Sequence, residues 1–338
     1  MNMLCRTAAL AVLLAAAFAP AEAQVFPSFG DDRAGTAGYK FLNIAPDPRG
    51  AALGETVAAM GNDATAFFYN PALAAQAVPG SGDLAVGASH TAYHAEIDVN
   101  YVGALYHVGG FALGLSVFTL DAGEMDVTTA TEPFGTGQTF GFVDLAAGLT
   151  VSQRLTDLFS YGVTLKYVRE STFDIVSQTG LLDLGVYYEV GTTGAQLGVA
   201  IRNFGLNGRP DGEVSVLTGD GETETIDSFE QITPPTTFLL GVAYRLLRAS
   251  DQHALTVSGQ LTNPNDNAER IDLGAEYTWN DILVGRVGYQ VGRDEVTVPS
   301  LGFGVIVPGI GPRLRLDYGF NHRDVLGSVH RVGLDVKF

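Results

Sequence analysis

The chain closes on Ser328-Val329-His330-Arg331-Val332-Gly333-Leu334-Asp335-Val336-Lys337-Phe338, and the reading of this stretch decides the fold. From Val332 onward every second residue is apolar (Val332, Leu334, Val336, Phe338), while Arg331, Gly333, Asp335 and Lys337 take the alternate places. Side chains of a strand point to opposite faces with a period of two, so this segment has one wholly apolar face and one face carrying both charge signs. A soluble sandwich also buries one strand face, and a single strand does not separate the two cases. Recurrence does.

The same alternation returns along the chain from residue 82. Apolar series run through Leu84, Val86 and Ala88; Phe111 to Val117; Val143 to Val151; Tyr161 to Tyr167; Leu182 to Val190; and Ala195 to Ile201. They resume at Phe238 to Tyr244, Leu255 to Leu261, Ile271 to Trp279, Leu283 to Val291, Leu301 to Val307 and Leu314 to Phe320. With Asn100 to Val108, whose two faces are both mostly apolar, and the closing strand, the count is about 14, an even number as bacterial barrels require. Charges within these spans fall on the opposite face: Asp144, Lys166, Asp183, Arg202, Asp272, Glu276, Arg286, Arg315 and Asp317 among them. A charge facing lipid at mid-membrane costs about 2–4 kcal/mol, so its absence from the apolar series is what a lipid-facing surface requires. Outer-membrane barrels often end in an alternating strand with a terminal aromatic, which their assembly machinery reads; Val332, Leu334, Val336 and Phe338 fit that signal. The expected fold is therefore all-β: a roughly 14-stranded antiparallel transmembrane β-barrel over 81–338.

At the other end, Arg6, the apolar run Ala8 to Phe18 and the small-x-small site Ala21-Glu22-Ala23 read as a secretory signal over 1–23. The run is shorter than the roughly 20 residues a spanning helix needs. The only cysteine, Cys5, lies inside this signal, which leaves no disulfide or thiolate metal site in the mature chain. A net charge of −18 argues against nucleic acid as a partner, since phosphate contact calls for a basic surface. Links between strands alternate in length, with short Gly or Asn-Asp turns such as Gly109-Gly110 and Asn280-Asp281 on one side and long polar links such as Asp121 to Thr139 and Asn203 to Pro234 on the other. That asymmetry places the short turns and both termini in the periplasm, with Tyr188, Tyr244, Tyr277 and Trp279 as an aromatic girdle at that level.

Residues 24–80 differ in kind. Gly35 to Ile44 and Ala51 to Met60 have helix-like spacing about a Pro46 to Gly50 turn. Asp63 is placed to cap a short helical turn, and Asn70 to cap one that begins at Pro71. Three strings, Gly38 to Ile44, Arg49 to Glu55 and Asn62-Asp63-Ala64-Thr65-Ala66-Phe67-Phe68-Tyr69-Asn70-Pro71-Ala72-Leu73, resemble the N-terminal signature of the PorV/PorQ family. That family is similar to the FadL-like long-chain fatty-acid transporters, which share the Asn-Pro-Ala segment in a plug within the barrel. The resemblance implies a plug over 24–80, with Asn62, Asp63, Asn70 and Pro71 as its structural or gating residues, and a non-enzymatic role in protein secretion or surface attachment of the type IX kind. Secreted cargo or secretion components would then be partners. The alternative it carries is a FadL-like passive channel for uptake of hydrophobic small molecules.

Several residues invite chemistry. Asp211, Glu213, Asp220, Glu222, Glu224, Asp227 and Glu230 offer calcium ligands in one loop, although their spacing fits no EF-hand and a solvated acidic loop explains them as well. His90 and His94 fall in the first outer link and His322 in the last, so barrel closure would bring them near one another as a weak zinc or nickel site. Inward charges such as Arg315, Asp317, Arg331 and Asp335 are expected to pair with one another and with the plug. No hydrolase elbow, zinc-protease helix or Walker loop is present, and scattered Ser116 and Ser258 carry no motif. The chain is expected to be no enzyme and to carry no cofactor. Outer-membrane lipid, the assembly machinery and a cargo protein or hydrophobic ligand are the partners to expect.

Overall fold

The computed structural model describes residues 34–338 apart from 62, 79, 81, 130, 131, 218–222, 248–251, 294, 295 and 308–311. The expected signal and Asn62 lie outside the described residues. Fourteen antiparallel strands form one closed barrel. They are β1 (Leu84–Ala92), β2 (Asp98–Val108), β3 (Phe111–Asp126), β4 (Thr139–Thr156), β5 (Phe159–Thr172), β6 (Ile175–Glu189) and β7 (Ala195–Gly205), followed by β8 (Thr237–Arg245), β9 (His253–Pro264), β10 (Arg270–Trp279), β11 (Leu283–Val291), β12 (Ser300–Val307), β13 (Arg313–Arg323) and β14 (Gly327–Lys337). Each pairs with the next, and β14 closes on β1 in a register running from Ala85 opposite Lys337 to Ala92 opposite His330. Closure pairs every strand on both sides, as hydrocarbon demands.

Side-chain direction follows the sequence parity. Leu115 and Leu165 face outward at 63% and 60% exposure, whereas the inward Thr150 and Asp272 are fully buried. Val102, Leu149, Val242, Val287, Leu301, Leu316 and Val332 extend the exposed apolar belt around the barrel. Such a continuous belt is far larger than the apolar patches a soluble monomer leaves in water. Tyr188, Tyr244, Tyr277 and Trp279 stand outward near the short turns. No helix among the described residues is long and apolar enough to cross a membrane.

The tight turns are built as the sequence indicates. Gly109 and Gly110, and Asn280 and Asp281, all take positive φ, which the mirror-image turns of two-residue hairpins require. The long-loop side holds more strand than expected. β3 continues to Asp126 through a register shift between Asp121 and Glu124, and β5 joins β6 through the two residues Phe173 and Asp174 rather than a long link. Strands β3 to β6 have 14 to 18 residues. A membrane crossing needs about 9–11, so these strands continue past the apolar belt, where Asp121 and Arg169 appear on their outer face.

The described residues of 34–83 precede the first strand and fill the lumen, almost every side chain among them buried. The helices expected over Gly35 to Ile44 and Ala51 to Met60 are replaced by short turns: a 3₁₀ turn at Lys40–Asn43 and a single α turn at Pro48–Ala52. The α turn begins inside the stretch read as a separating turn, capped by the Asp47 carboxylate, which accepts from Gly50 N at 2.8 Å. Gly54 and Glu55 then take positive φ and end it. Such irregular backbone is stable in a packed lumen because the wall supplies its hydrogen bonds. Gln260 accepts from Ala58 N, Asp335 accepts from Ala64 N, and Ser160, Asn321 and Arg331 donate to the carbonyls of Ala72, Ala51 and Ala45.

Candidate functional site: the latched plug and the cavity above it

Beneath the plug's first turn a closed ring of six charges ties plug to wall. Arg49 Nε donates to Glu276 at 2.9 Å, Glu276 accepts from Arg286 Nε at 2.7 Å, and Arg286 Nη1 donates to Asp317 at 2.6 Å. Asp317 also accepts from Arg315 Nε at 2.6 Å, Arg315 Nη2 donates to Asp63 at 2.9 Å, and Asp63 accepts from Arg49 Nη1 at 3.1 Å. Three guanidiniums alternate with three carboxylates, so the ring is neutral although every member is at least largely buried. Buried charges persist only when paired and hydrogen-bonded in this way. Burial pushes the Asp63 carboxyl up, but Arg49 and Arg315 outweigh it and hold the group well below the usual carboxylate range. Burial likewise works against the Arg49 cation, and Glu276 and Asp63 more than offset it.

Gly304 makes one side of the ring possible. It lies on β12, between β11 and β13, and a Cβ there would collide with Asp317 Oδ1 and come within 3.1 Å of Arg286 Nη1. Glycines on other strands let the plug backbone touch the wall. A Cβ at Gly319 would meet the Pro48 carbonyl oxygen at 2.6 Å, one at Gly162 would meet the Pro71 carbonyl carbon at 2.5 Å, and one at Gly198 would land on the Ala58 carbonyl oxygen. The inward glycines thus form a groove around the plug.

The expected plug residues fall into two groups. Asp63 is in the ring and also accepts from Thr65 N and Oγ1, forming a local turn rather than capping the Ala66–Phe68 3₁₀ turn. Asn70 caps the Pro71–Leu73 turn by accepting from Ala72 N at 3.0 Å, and its amide donates to Ala58 O and, across to the wall, to Val186 O. Pro71 packs on Gly162. Of the inward charges expected to pair, Arg315 binds Asp317 and Asp63, whereas Arg331 binds Ala45 O and Asn321 rather than Asp335. In the terminal strand, Val332 and Leu334 face outward and Phe338 is 65% exposed, its amide donating to Leu84 O at 2.8 Å.

Above the plug, on the long-loop side, lies a cavity of about 320 Å³. Its cationic lining is Lys40, Arg202, Arg270, Arg293, Arg323 and Arg331, against the acids Glu55 and Asp266. Arg270 pairs with Glu55 at 2.5 Å, and Lys40 pairs with Asp266. Burial pushes Glu55 up, yet Arg270, Arg293, Arg323 and Arg331 together hold it below the usual range. Sequence reasoning found neither this lining nor Arg49's part in the ring, because strand parity tells which charges point inward and not which of them share one height.

The remaining candidates do not gather. His90 contacts Asn100 at 2.9 Å, His322 contacts Ser328 at 3.1 Å, and the His94 ring lies tilted against that of Tyr93. Burial, together with Arg323 and Arg331, lowers the affinity of His94 for a proton. No group of three or more His, Cys, Asp or Glu side chains among the described residues is arranged to hold a metal ion, the histidines and the described part of the acidic loop included. That loop carries a small hairpin, Val214–Leu217 with Thr223–Ile226. The Ser258 hydroxyl meets Thr56 Oγ1 at 2.6 Å in the plug packing, and Ser116 faces inward next to Gly148.

No family model and no curated protein sequence matches the chain. Solved structures do. The Pseudomonas putida toluene transporter TodX is similar with a TM-score of 0.58 at 13% identity, covering 86% of this chain and 96% of that one. The Ralstonia pickettii toluene transporter TbuX gives a TM-score of 0.56 at 14% identity over 86% of this chain and 97% of that one. The monoaromatic hydrocarbon channel CymD gives 0.54 at 13% identity over 87% and 96%. These neighbours support the FadL-like half of the resemblance at the N-terminus, and no sequence-level match supports the PorV/PorQ half. What the likeness shows is the architecture: this chain is a closed 14-stranded antiparallel transmembrane barrel, built like those hydrocarbon-transporter barrels.

Proposed function

We propose that the chain is a passive uptake channel of the bacterial outer membrane, with both termini and the short turns in the periplasm and the long loops outside. The observation that carries this reading is the arrangement of the lumen: a cavity beneath the long loops, floored by a plug that a neutral charge ring and a glycine groove hold against the wall. A solute reaching the cavity passes only if the plug shifts, so the ring acts as the latch. The shared architecture with hydrocarbon channels supports transport over the secretion role that the N-terminal resemblance implies, and those neighbours are transporters rather than enzymes. An apolar pocket, expected for uptake of hydrophobic molecules, is not what lines the cavity. The test is uptake by proteoliposomes of three radiolabelled solutes, toluene, palmitate and citrate, against empty vesicles. Retention of at least one above the empty control is the expected result. No uptake of any of the three, with secreted proteins copurifying and accumulating in the periplasm of a deletion strain, would favour the secretion role and overturn the channel.

A further inference from the structure

We propose that the cavity above the plug binds a small hydrophilic oxyanion, a solute bearing carboxylate or phosphate groups rather than a hydrocarbon. The proposal rests on the channel reading for its place in transport, and on the charge of the cavity for its chemistry. The chain as a whole is strongly acidic at −18, yet six of its 19 Lys and Arg residues line this one space. Pairing within the cavity consumes two of them, Lys40 with Asp266 and Arg270 with Glu55. Arg202, Arg323 and Arg331 form no ion pair among the described residues, and Arg202 and Arg331 are only 7% and 5% exposed. Burying guanidiniums that make no direct ion pair is costly, and the two acids of the lining, Glu55 and Asp266, leave its six cations in excess.

The guanidiniums are also held ready. Arg202 lies over the Phe68 ring at 4.2 Å and donates through Nη2 to Leu42 O, which fixes its plane, while its buried Nε has no hydrogen-bond partner. Arg331 is fixed by Ala45 O and Asn321. A planar donor edge held in place matches the two oxygens of a carboxylate or a phosphate. A volume of about 320 Å³ fits a compact solute, and the six cations of the lining favour an anion there over an alkyl chain or an aromatic ring.

Binding is measured by isothermal titration of the purified full-length mature barrel in detergent, with citrate, inorganic phosphate, toluene and choline as separate probes. Citrate or phosphate is expected to bind, whichever is tighter naming the source, while toluene and choline neither bind nor displace it. Arg323→Gln, which removes no ion pair, should weaken binding about tenfold, and Arg202→Gln at least as much if the heat-modifiable folded form persists. Arg313→Gln, at the short-turn end, should leave binding unchanged. Absence of binding by both anions, binding indifferent to Arg323→Gln, or displacement by toluene would overturn the proposal. Because no flux is measured, a barrel that transports but binds no anion would sink this inference alone, and one that binds citrate but passes nothing would sink only the channel reading.

Discussion

Asp63 is the residue on which the proposed latch turns, since it alone in the ring accepts from both the plug arginine Arg49 and the wall arginine Arg315. Asp63→Asn keeps the shape and removes the charge, leaving three buried guanidiniums to share two carboxylates, Glu276 and Asp317. Removing one partner of a buried ion pair typically costs about 3–5 kcal/mol. We expect the variant barrel to stay folded, resistant to heat in detergent, while its plug becomes cleavable by trypsin; a plug as resistant as wild type would contradict the latch. The same residue fixes the pH response. A carboxyl whose folded pKa is depressed contributes stability that is fully present above its unfolded value of about 3.9 and is lost only as the pH falls through the folded value. Asp47 has the opposite sign: burial, aided by Asp63, raises it, so its contribution is present at low pH and is lost as the pH rises through the raised value. Lowering the pH from 7 to 5 should therefore leave the plug at least as protease-resistant as before, and release at pH 5 would count against this pairing.

At the scale of elements, the strands and the plug obey different rules. The strands were readable because lipid imposes one demand on every outward position, and that demand repeats with period two. Asn100 to Val108 read ambiguously for a physical reason: the inward Tyr101 packs on Phe67 and Phe68 of the plug, so both faces of β2 are apolar. The plug had no such regularity, being buried on all sides, and its helix-like spacing misled because hydrogen bonds from the wall replace helical ones. Of the site, Asp63 and Asn70 were legible from the N-terminal strings, whereas Arg49, Glu276 and Arg286 meet only after three elements are brought to one level. The groove gives its own prediction. Gly185→Ala would put a methyl group on Asn70 Oδ1, and Gly198→Ala would put one on the Ala58 carbonyl oxygen. Overpacking of this kind costs about 1–3 kcal/mol, and it should loosen the plug to protease without changing the heat-modifiable barrel. The terminal strand separates assembly from stability: Phe338 is exposed, so Phe338→Ala should refold in detergent as wild type does and yet accumulate poorly in the outer membrane of cells. Normal accumulation would remove its role as an assembly signal.

For the whole molecule, charge is sorted by depth. An acidic exterior surrounds an apolar belt, a neutral ring lies at the plug, and a cationic cavity sits above it. On the channel reading, passage requires the plug to move, and this can be stopped reversibly. The only cysteine lies in the expected signal, so a pair introduced as Ala59→Cys and Gly241→Cys would be alone in the mature chain. The Ala59 Cβ and a Cβ built on Gly241 of β8 are 3.3 Å apart, close to the roughly 3.8 Å of a disulfide. The decisive measurement is solute uptake by proteoliposomes carrying this double variant, oxidised and then reduced. Uptake should fall to that of empty vesicles when the bond has formed and return on reduction, whereas uptake unchanged by a complete cross-link would contradict a plug that gates the lumen.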